Sequence, residues 1–204
     1  MVSSLQFGLS RMLVAGGLMI AASASFASIT FSNIVVTLPT GFTQHSVFTG
    51  PTDIDFHFAD AMAGDFQAVR GGTITISYTA TAAPGLEITG MNLSVLGGVL
   101  GSGGVGIDEE IRAVSSTGPL LGSLSFSSPG DGDLPITHFL EFDGSAQTVY
   151  VTKSILIDAE ADTADFDFAA VGLIEQNFAV VPEPATMAAV ALGVGILGAR
   201  RRRR

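Results

Sequence analysis

Hydrophobic and polar residues alternate in short segments through most of residues 28–181. Successive side chains of a β-strand point to opposite faces, so this alternation predicts strands with one buried face. In GGTITISYTATA, for example, Ile74, Ile76 and Tyr78 should face one way and the intervening Thr and Ser residues the other. Eight further segments have a similar pattern: ITFSNIVVTL, DIDFHF, LEITGMNLSVLG, IDEEIRAVSS, GSLSFSS, ITHFLEFDG, TVYVTKSILID and DFDFAAVGLIEQNF.

Turn-forming residues separate these segments. Clusters rich in Gly, Pro, Asp and Ser occupy residues 83–85, 97–106, 128–133 and 143–147. Such residues favour turns because they adopt turn dihedrals or hydrogen-bond to their own backbone. Nine short strands at this spacing, with almost no helical periodicity, predict an all-β fold, an antiparallel β-sandwich. The pattern fits a jelly-roll and an Ig-like topology alike.

The first 27 residues have the composition of a secretory signal peptide. Arg11 precedes an apolar segment at 12–22, and small residues follow it up to a small-x-small site at 25–27. The apolar segment is too short and wrongly flanked for a stable membrane span. We therefore expect a mature chain that begins near Ser28 and is exported from the cytoplasm.

The end of the chain combines prolines, an apolar segment and arginines. Pro182 and Pro184 lack backbone donors and bias the residue before each toward extended conformations. Residues 181–184 should therefore be extended, and the prolines should keep them out of both the last strand and a helix. Residues 185–199 carry no charge and predict a short transmembrane helix. A cytoplasmic anchor follows under the positive-inside rule, formed by Arg200, Arg201, Arg202, Arg203 and Arg204.

The motif Val181, Pro182, Glu183 and Pro184, followed by the apolar segment and the arginines, resembles the sorting tail of PEP-CTERM proteins. The resemblance implies recognition by an exosortase-type membrane protease and transient anchoring in the inner membrane. It further implies a final place at the cell surface or outside the cell, in association with extracellular polysaccharide. Like a GPI signal, such a tail is a sorting tag and leaves the role of the preceding domain open. The predicted organisation is a signal peptide at 1–27, an exported domain at 28–180 and the sorting signal at 181–204.

Charge is strongly one-sided in the exported domain. Residues 28–181 contain three basic and eighteen acidic residues, which gives a net charge of −15. This argues against nucleic acid and other anionic polymers as direct partners, although divalent cations could act as bridges. The chain has no cysteine, so an exported domain of this kind depends on its core rather than on disulfides.

The densest acidic segment, DAEADTADFDF at 158–168, is a candidate calcium site. An EF-hand loop in this phase needs Gly and Glu where Thr163 and Ala169 stand, which excludes that motif. A looser calcium site between loops is one interpretation, and calcium is the only cofactor that the sequence suggests. The other is a solvated loop leading into a strand with Phe166 and Phe168 directed inward. The candidate ligands are Asp158, Glu160, Asp162 and Asp165.

Two other patterns have weaker functional interpretations. Asp53, Asp55 and His57 share one face of DIDFHF and have the chemistry of metal ligands, but the solvent face of an amphipathic strand is the preferred interpretation. GSGGVG at 101–106 matches a dinucleotide-binding fingerprint. That fingerprint requires a strand before it and a helix after it, so in a β-rich chain we interpret it as a flexible loop.

Catalytic machinery is not evident. The chain has three histidines and no cysteine, and His138 alternates with apolar residues, which favours a half-buried position. No carboxylate pair for glycoside hydrolysis can be singled out among so many acids, and two Tyr without any Trp leave little surface for stacking on sugars. We expect a structural or adhesive protein without enzyme activity. The alternatives are a polysaccharide- or calcium-binding surface module and, third, a surface hydrolase.

Overall fold

The computed structural model describes residues 28–65, 67, 71–129, 132–159, 166–184, 187, 191 and 192, and the predicted signal peptide lies outside them. The described part of the chain forms eleven β-strands. They are β1 (Ile29–Thr37), β2 (His45–Thr49), β3 (Asp53–Phe58), β4 (Met62–Gly64), β5 (Gly71–Ala82), β6 (Leu86–Leu100), β7 (Gly104–Ala113), β8 (Leu120–Ser128), β9 (Ile136–Ala146), β10 (Thr148–Asp158) and β11 (Phe168–Pro182).

These strands form two antiparallel sheets that share one core, as expected for a β-sandwich. The five-stranded sheet has the order β1-β5-β10-β7-β8, and the six-stranded sheet has the order β2-β3-β11-β6-β9, with β4 also paired to β11. From β5 to β11, every connection except the β7–β8 hairpin crosses from one sheet to the other. The inner sets β3-β11-β6-β9 and β5-β10-β7-β8 therefore have the strand order of a jelly roll rather than of an Ig-like domain.

Alternation directs one face of each sheet into the core. In β5, Ile74, Ile76 and Tyr78 are buried whereas Thr73 and Thr75 are exposed, as predicted. Each large apolar side chain buried in this way contributes roughly 1.5–3 kcal/mol, so the shared core is the main force that holds the sheets together. Its other fully buried members include Ile54, Phe56, Ile88, Met91, Leu93, Ile107, Ile111, Ile155 and Ile157.

Some predicted strands coincide with observed strands, and others differ from them. DIDFHF, GGTITISYTATA and TVYVTKSILID coincide with β3, β5 and β10. The sequence does not predict β2, a largely exposed edge strand, or β4, which has three residues. The predicted turn cluster at 97–106 is also too long, because residues 97–100 belong to β6 and residues 104–106 to β7.

The prediction that Phe166 and Phe168 point inward is wrong. Phe166 is 44% exposed, Phe168 is half-buried, and their rings stack with centroids 6.3 Å apart. Asp167 lies between them and is buried. The register of β11 shifts between Val171 and Leu173. Such a bulge moves the side chains on one side of it to the opposite face of the sheet.

Candidate functional site

The outer face of the five-stranded sheet carries a groove of about 500 Å³ over β1, β5, β10 and β7. Six hydroxyl groups and two carboxylates line it, with Val35 at one side. The hydroxyls belong to Thr37, Thr75, Ser77, Tyr150, Thr152 and Ser154, and the carboxylates belong to Asp108 and Glu110.

Most of these hydroxyl residues are the outward half of the alternation in β5 and β10. Thr and Tyr suit such positions because β-branched and aromatic side chains pack well on a pleated surface. The two carboxylates are held from the side. Ser125 donates to Asp108 Oδ1 at 2.7 Å, and Arg112 pairs with Glu110 at 2.9 Å. The groove therefore presents positioned donors and acceptors beside one aromatic ring, that of Tyr150.

The predicted sorting motif lies at the end of the last strand. Val181 and Pro182 complete β11 and pair with the first two residues of β6, and the Glu183 N–H donates to the Gly85 carbonyl at 2.9 Å. The segment is extended, as predicted, but the expectation that its prolines keep it out of the last strand is wrong. Because Pro182 is the final strand residue, its missing N–H removes at most one bond from the ladder.

A helical turn begins directly after the strand. Pro184 is helical, and the Glu183 carbonyl accepts a hydrogen bond from the Met187 N–H at 3.1 Å. Proline suits this position because an N–H in the first turn has no partner within the helix. Most of the predicted transmembrane helix at 185–199 and all five terminal arginines lie outside the described residues. Among those that are described, no helix combines the length and apolarity needed to cross a membrane.

Residues 180–204 match a protein-family model, that of the PEP-CTERM protein-sorting motif. The chain carries a PEP-CTERM sorting signal. The match confirms the resemblance seen in the sequence and spans the motif, the apolar segment and the arginines. It implies sorting to the cell surface and processing by exosortase. The match covers only the tail and leaves the role of the sandwich open.

Two solved structures share a distant likeness with the chain. One is a glycosylation-associated protein (Gap123) complex from Streptococcus agalactiae, with 14% identity and a TM-score of 0.34, covering 70% of this chain and 24% of that one. The other is TmCBM61 in complex with β-1,4-galactotriose, with 11% identity and a TM-score of 0.29, covering 78% of this chain and 90% of that one. This chain thus spans about a quarter of the length of the first. No curated protein matches the sequence.

The face that carries Asp53, Asp55 and His57 points outward, as predicted. Asp55 lies opposite Glu175 of β11, and His57 packs edge-on against Phe48 at 5.1 Å. Burial, followed by the negative charges of Glu175 and Asp53, raises the pKa of Asp55. Within the described ranges, no group of three or more acidic or histidine side chains converges into a metal site. The three residues therefore lie on the outer face of the six-stranded sheet, opposite the buried Ile54, Phe56 and Phe58.

The candidate calcium ligands are only partly described. Asp158 is the exposed last residue of β10, whereas Glu160, Asp162 and Asp165 lie outside the described residues, so calcium binding stays a prediction.

The glycines of GSGGVG allow close backbone approach and do not precede a helix. A Cβ at Gly101 would lie 2.2 Å from Asp167 Oδ1, and one at Gly103 would lie 2.0 Å from the Phe168 carbonyl oxygen. The Ser102 N–H donates to Asp167 Oδ1 at 2.6 Å. Residues 101–103 thus form a tight turn between β6 and β7 that packs against the start of β11, and residues 104–106 begin β7 in place of the helix that the nucleotide interpretation requires.

A polar cluster that the sequence analysis did not identify lies in the centre of the core. Lys153 Nζ is 2.7 Å from Glu109 Oε1 and donates to Gln176 Oε1 at 3.0 Å. Gln176 Nε2 donates to the same Glu109 Oε1 at 2.8 Å and also contacts the Met91 sulfur. The Tyr78 hydroxyl donates to Gln176 Oε1. All five side chains are almost completely buried, and the cluster joins strands of both sheets.

Burial shifts the pKa of two side chains in this cluster, Lys153 and Tyr78. It lowers the pKa of Lys153, although the charge and hydrogen bond of Glu109 act in the opposite direction. Burial and the nearby Glu109 raise the pKa of the Tyr78 hydroxyl well above its ordinary value. Among the described residues, Glu109 Oε2 has no hydrogen-bond partner. Such an arrangement destabilises the fold, because the free energy of removing two charges from water can exceed the free energy gained from their attraction.

The sequence does contain a signal for the cluster. Lys153 is the only lysine of the chain, and it occupies the inward phase of β10 between Val151 and Ile155. Glu109 and Gln176 likewise take inward positions in β7 and β11. Each is a polar residue in an apolar series, and the three alternations together indicate a buried polar centre.

Proposed function

We propose that this chain is a structural or adhesive protein of the cell surface or extracellular matrix that binds hydroxyl-rich polysaccharide in the groove of its five-stranded sheet. The sorting signal supports the location, because a PEP-CTERM motif directs its carrier to the surface. The observation that carries the binding role is the groove, where six hydroxyls, two carboxylates and one aromatic ring line one open surface.

The chemistry of this lining suits a sugar chain. Sugar hydroxyls both donate and accept hydrogen bonds, and Thr and Ser hydroxyls do the same. Carboxylates are strong acceptors for such groups. The apolar ring of Tyr150 and the side chain of Val35 supply the nonpolar contact that binding sites combine with a few polar groups.

Charge restricts the class of polysaccharide. With fifteen more acidic than basic residues in 28–181, the domain repels anionic polymers at low salt. Asp108 and Glu110 add two carboxylates inside the groove itself. We therefore expect a neutral polysaccharide as the direct ligand, and an anionic one only where divalent cations bridge the charges.

The groove favours binding over hydrolysis. Glycosidases place an acid and a base or nucleophile on the two sides of the scissile bond. Asp108 and Glu110 instead project from one strand on one side of the groove, where Ser125 and Arg112 already hold them. This supports a role without catalysis.

The tail is the handle for sorting in this proposal. The apolar segment and arginines hold the chain in the inner membrane, with the sandwich outside, until exosortase processes the motif. Val181 and Pro182 are part of β11, so the protease engages a segment that begins at the edge of a folded domain. Opening the last two pairs of the ladder is then the local change that exposes an extended substrate.

The groove can be tested with substitutions that keep its shape. Thr75→Val and Thr152→Val remove hydroxyls from the groove and preserve β-branching, while Thr137→Val makes the same change at an exposed position of β9 on the other sheet. Retention of the full chain on an immobilised neutral polysaccharide should fall by roughly 5- to 150-fold for the combined groove variant, since each of its two lost hydrogen bonds contributes roughly 0.5–1.5 kcal/mol. The Thr137 variant should bind like the native protein. If groove and control variants bind equally, or if no polysaccharide retains the native chain, the groove is not a glycan site.

A further inference from the structure

The buried cluster brings an amine, a carboxamide and a carboxylate into contact in a region closed to water. Lys153 Nζ lies within hydrogen-bond distance of both the Gln176 amide and Glu109 Oε1, and the Gln176 amide nitrogen contacts the same carboxylate oxygen. These are the groups needed to exchange a primary amide for a secondary one. We propose that Lys153 and Gln176 form an intramolecular isopeptide bond, with Glu109 transferring the proton.

The balanced reaction begins with the ion pair. The Lys153 ammonium gives one proton to Glu109, and the resulting amine attacks the Gln176 amide carbon to form the new C–N bond. A second proton passes from the attacking nitrogen to the Gln176 amide nitrogen, through the Glu109 oxygen that contacts both. The old C–N bond then breaks and ammonia leaves. The products are a Lys153–Gln176 amide, ammonia and a neutral Glu109 carboxyl group, and no oxidant or cofactor takes part.

The surroundings favour each step. Burial lowers the pKa of Lys153, so the neutral, nucleophilic amine forms more readily than on an exposed lysine. The Tyr78 hydroxyl donates to Gln176 Oε1, so it is placed where negative charge develops on the oxygen during attack. The fold already holds the reacting groups in contact, so the reaction needs no bimolecular encounter. This proximity can account for a large part of the reduction in the activation barrier. The dry core also excludes hydrolysis as a competing reaction.

The reaction removes an unfavourable feature of the fold. Before it, the core holds an ammonium and a carboxylate, one of whose oxygens lacks a partner among the described residues. After it, every group in the cluster is neutral, and the cost of keeping two ions away from water disappears. The protonated Glu109 can then donate to the new amide carbonyl.

The position of the bond suits a protein that is held by its C-terminal end while the sorting signal anchors it. Lys153 lies on β10 of the five-stranded sheet and Gln176 on β11 of the six-stranded sheet, so the bond joins the two sheets. β11 runs directly into the sorting signal at 180–204. A pull on the tail acts first on β11, and the bond would pass that load to β10. The bond involves only the buried cluster and would form whether or not the groove binds polysaccharide.

Peptide mapping of the full chain tests the bond directly. After denaturation and digestion, mass spectrometry should find the peptides containing Lys153 and Gln176 joined, at their summed mass less one ammonia. Because Lys153 is the only lysine, an amine-specific reagent applied in denaturant should leave it unlabelled. Separate peptides from the folded native chain, with Lys153 fully labelled, would overturn the proposal and leave a noncovalent ion pair.

Variants assign the roles of the individual groups. Gln176→Glu should give the same linkage with loss of water in place of ammonia. Glu109→Gln should give separate, labelled peptides, whereas Glu110→Gln, its neighbour on the outer face, should give the linked species. Equal linkage in both of these variants would contradict the role of Glu109. If Glu109→Gln does not fold, Tyr78→Phe is the variant to use instead. In Tyr78→Phe the linked species should form more slowly after synthesis than in the native chain. An unchanged rate would contradict the role of the Tyr78 hydroxyl.

Discussion

Replacing Lys153 with Met removes the buried ammonium group from the part of the core that the structure describes. It leaves Glu109 without its counter-charge. The reverse change, Glu109→Met, leaves the ammonium alone among apolar side chains. The double variant removes both charges and keeps a similar volume. None of the three variants can form the proposed isopeptide bond, so differences among them report only the burial of charge.

The size of the effect follows from the burial of the pair. Both side chains are 0% exposed, and the charged atoms are 2.7 Å apart. Breaking such a pair from one side costs about 3–5 kcal/mol, whereas replacing both partners with apolar residues is often neutral or stabilising. Each single variant should therefore unfold about 3–5 kcal/mol more easily than the double variant. That is a large fraction of the roughly 5–15 kcal/mol that stabilises a typical domain.

Urea denaturation followed by circular dichroism measures these differences. The control is the same cycle on Arg112 and Glu110, an exposed pair on the outer face whose side chains are 31% and 51% exposed. Its coupling energy should be no more than about 1 kcal/mol. Single variants at Lys153 and Glu109 that match the double variant to within about 1 kcal/mol would show that these charges are hydrated, and the reasoning would fail.

Three further predictions concern pH and calcium. Burial and neighbouring carboxylates raise the pKa of Asp55 in the folded protein. The native protein therefore loses stability as the pH rises from the pKa of Asp in the unfolded chain, about 3.9, through the pKa of Asp55 in the folded protein. Asp55→Asn should stabilise the protein at neutral pH but not in acid, and an equal gain at both pH values would contradict this. In Glu109→Gln, Lys153 remains buried with a lowered pKa, so in the alkaline range the unfolded chain binds more protons than the folded chain does. The stability of this variant should therefore rise with pH up to about 10.4, the pKa of an exposed lysine. A stability that does not change with pH would contradict a buried amine. Calcium should raise the melting temperature modestly or not at all, and a shift that saturates at micromolar calcium would identify a real site in the 158–165 segment.

The alternation of hydrophobic and polar residues predicts the β-sandwich well, because the residues of each strand show by themselves which face of that strand is buried. β3, β5 and β10 have the predicted bounds since each alternates without interruption. A bulge at Gly172 reverses the phase of β11. A single glycine inside a strand is only a weak sign of a bulge, so uninterrupted alternation places Phe166 and Phe168 on the wrong face. The jelly-roll order depends on pairings between distant strands, which a period-two pattern leaves open.

Some functional residues can be identified from the sequence alone, and others only from the fold. The sorting signal is contiguous and independent of the fold, so its sequence pattern alone identifies it. The groove and the buried cluster each combine residues from several strands, and they exist only once β10 is placed beside β5 and β7. Lys153 and Glu109 are polar residues in apolar series, a signal that the predictions above did not use, and their contact with Gln176 depends on how the two sheets face each other.

The purpose of the tail is tested most directly by the C-terminus of the protein at the surface of its native host. If the PEP-CTERM signal is a temporary anchor, mass spectrometry of the surface-located protein should find a chain that ends within or just after residues 181–184 and lacks Arg200–Arg204. Replacing Pro182, Glu183 and Pro184 with Ala should leave the chain uncut and bound to the membrane. Recovery of an intact C-terminal peptide that ends in the arginines, from a host that has exosortase, would show that the tail is a permanent anchor and would contradict this account.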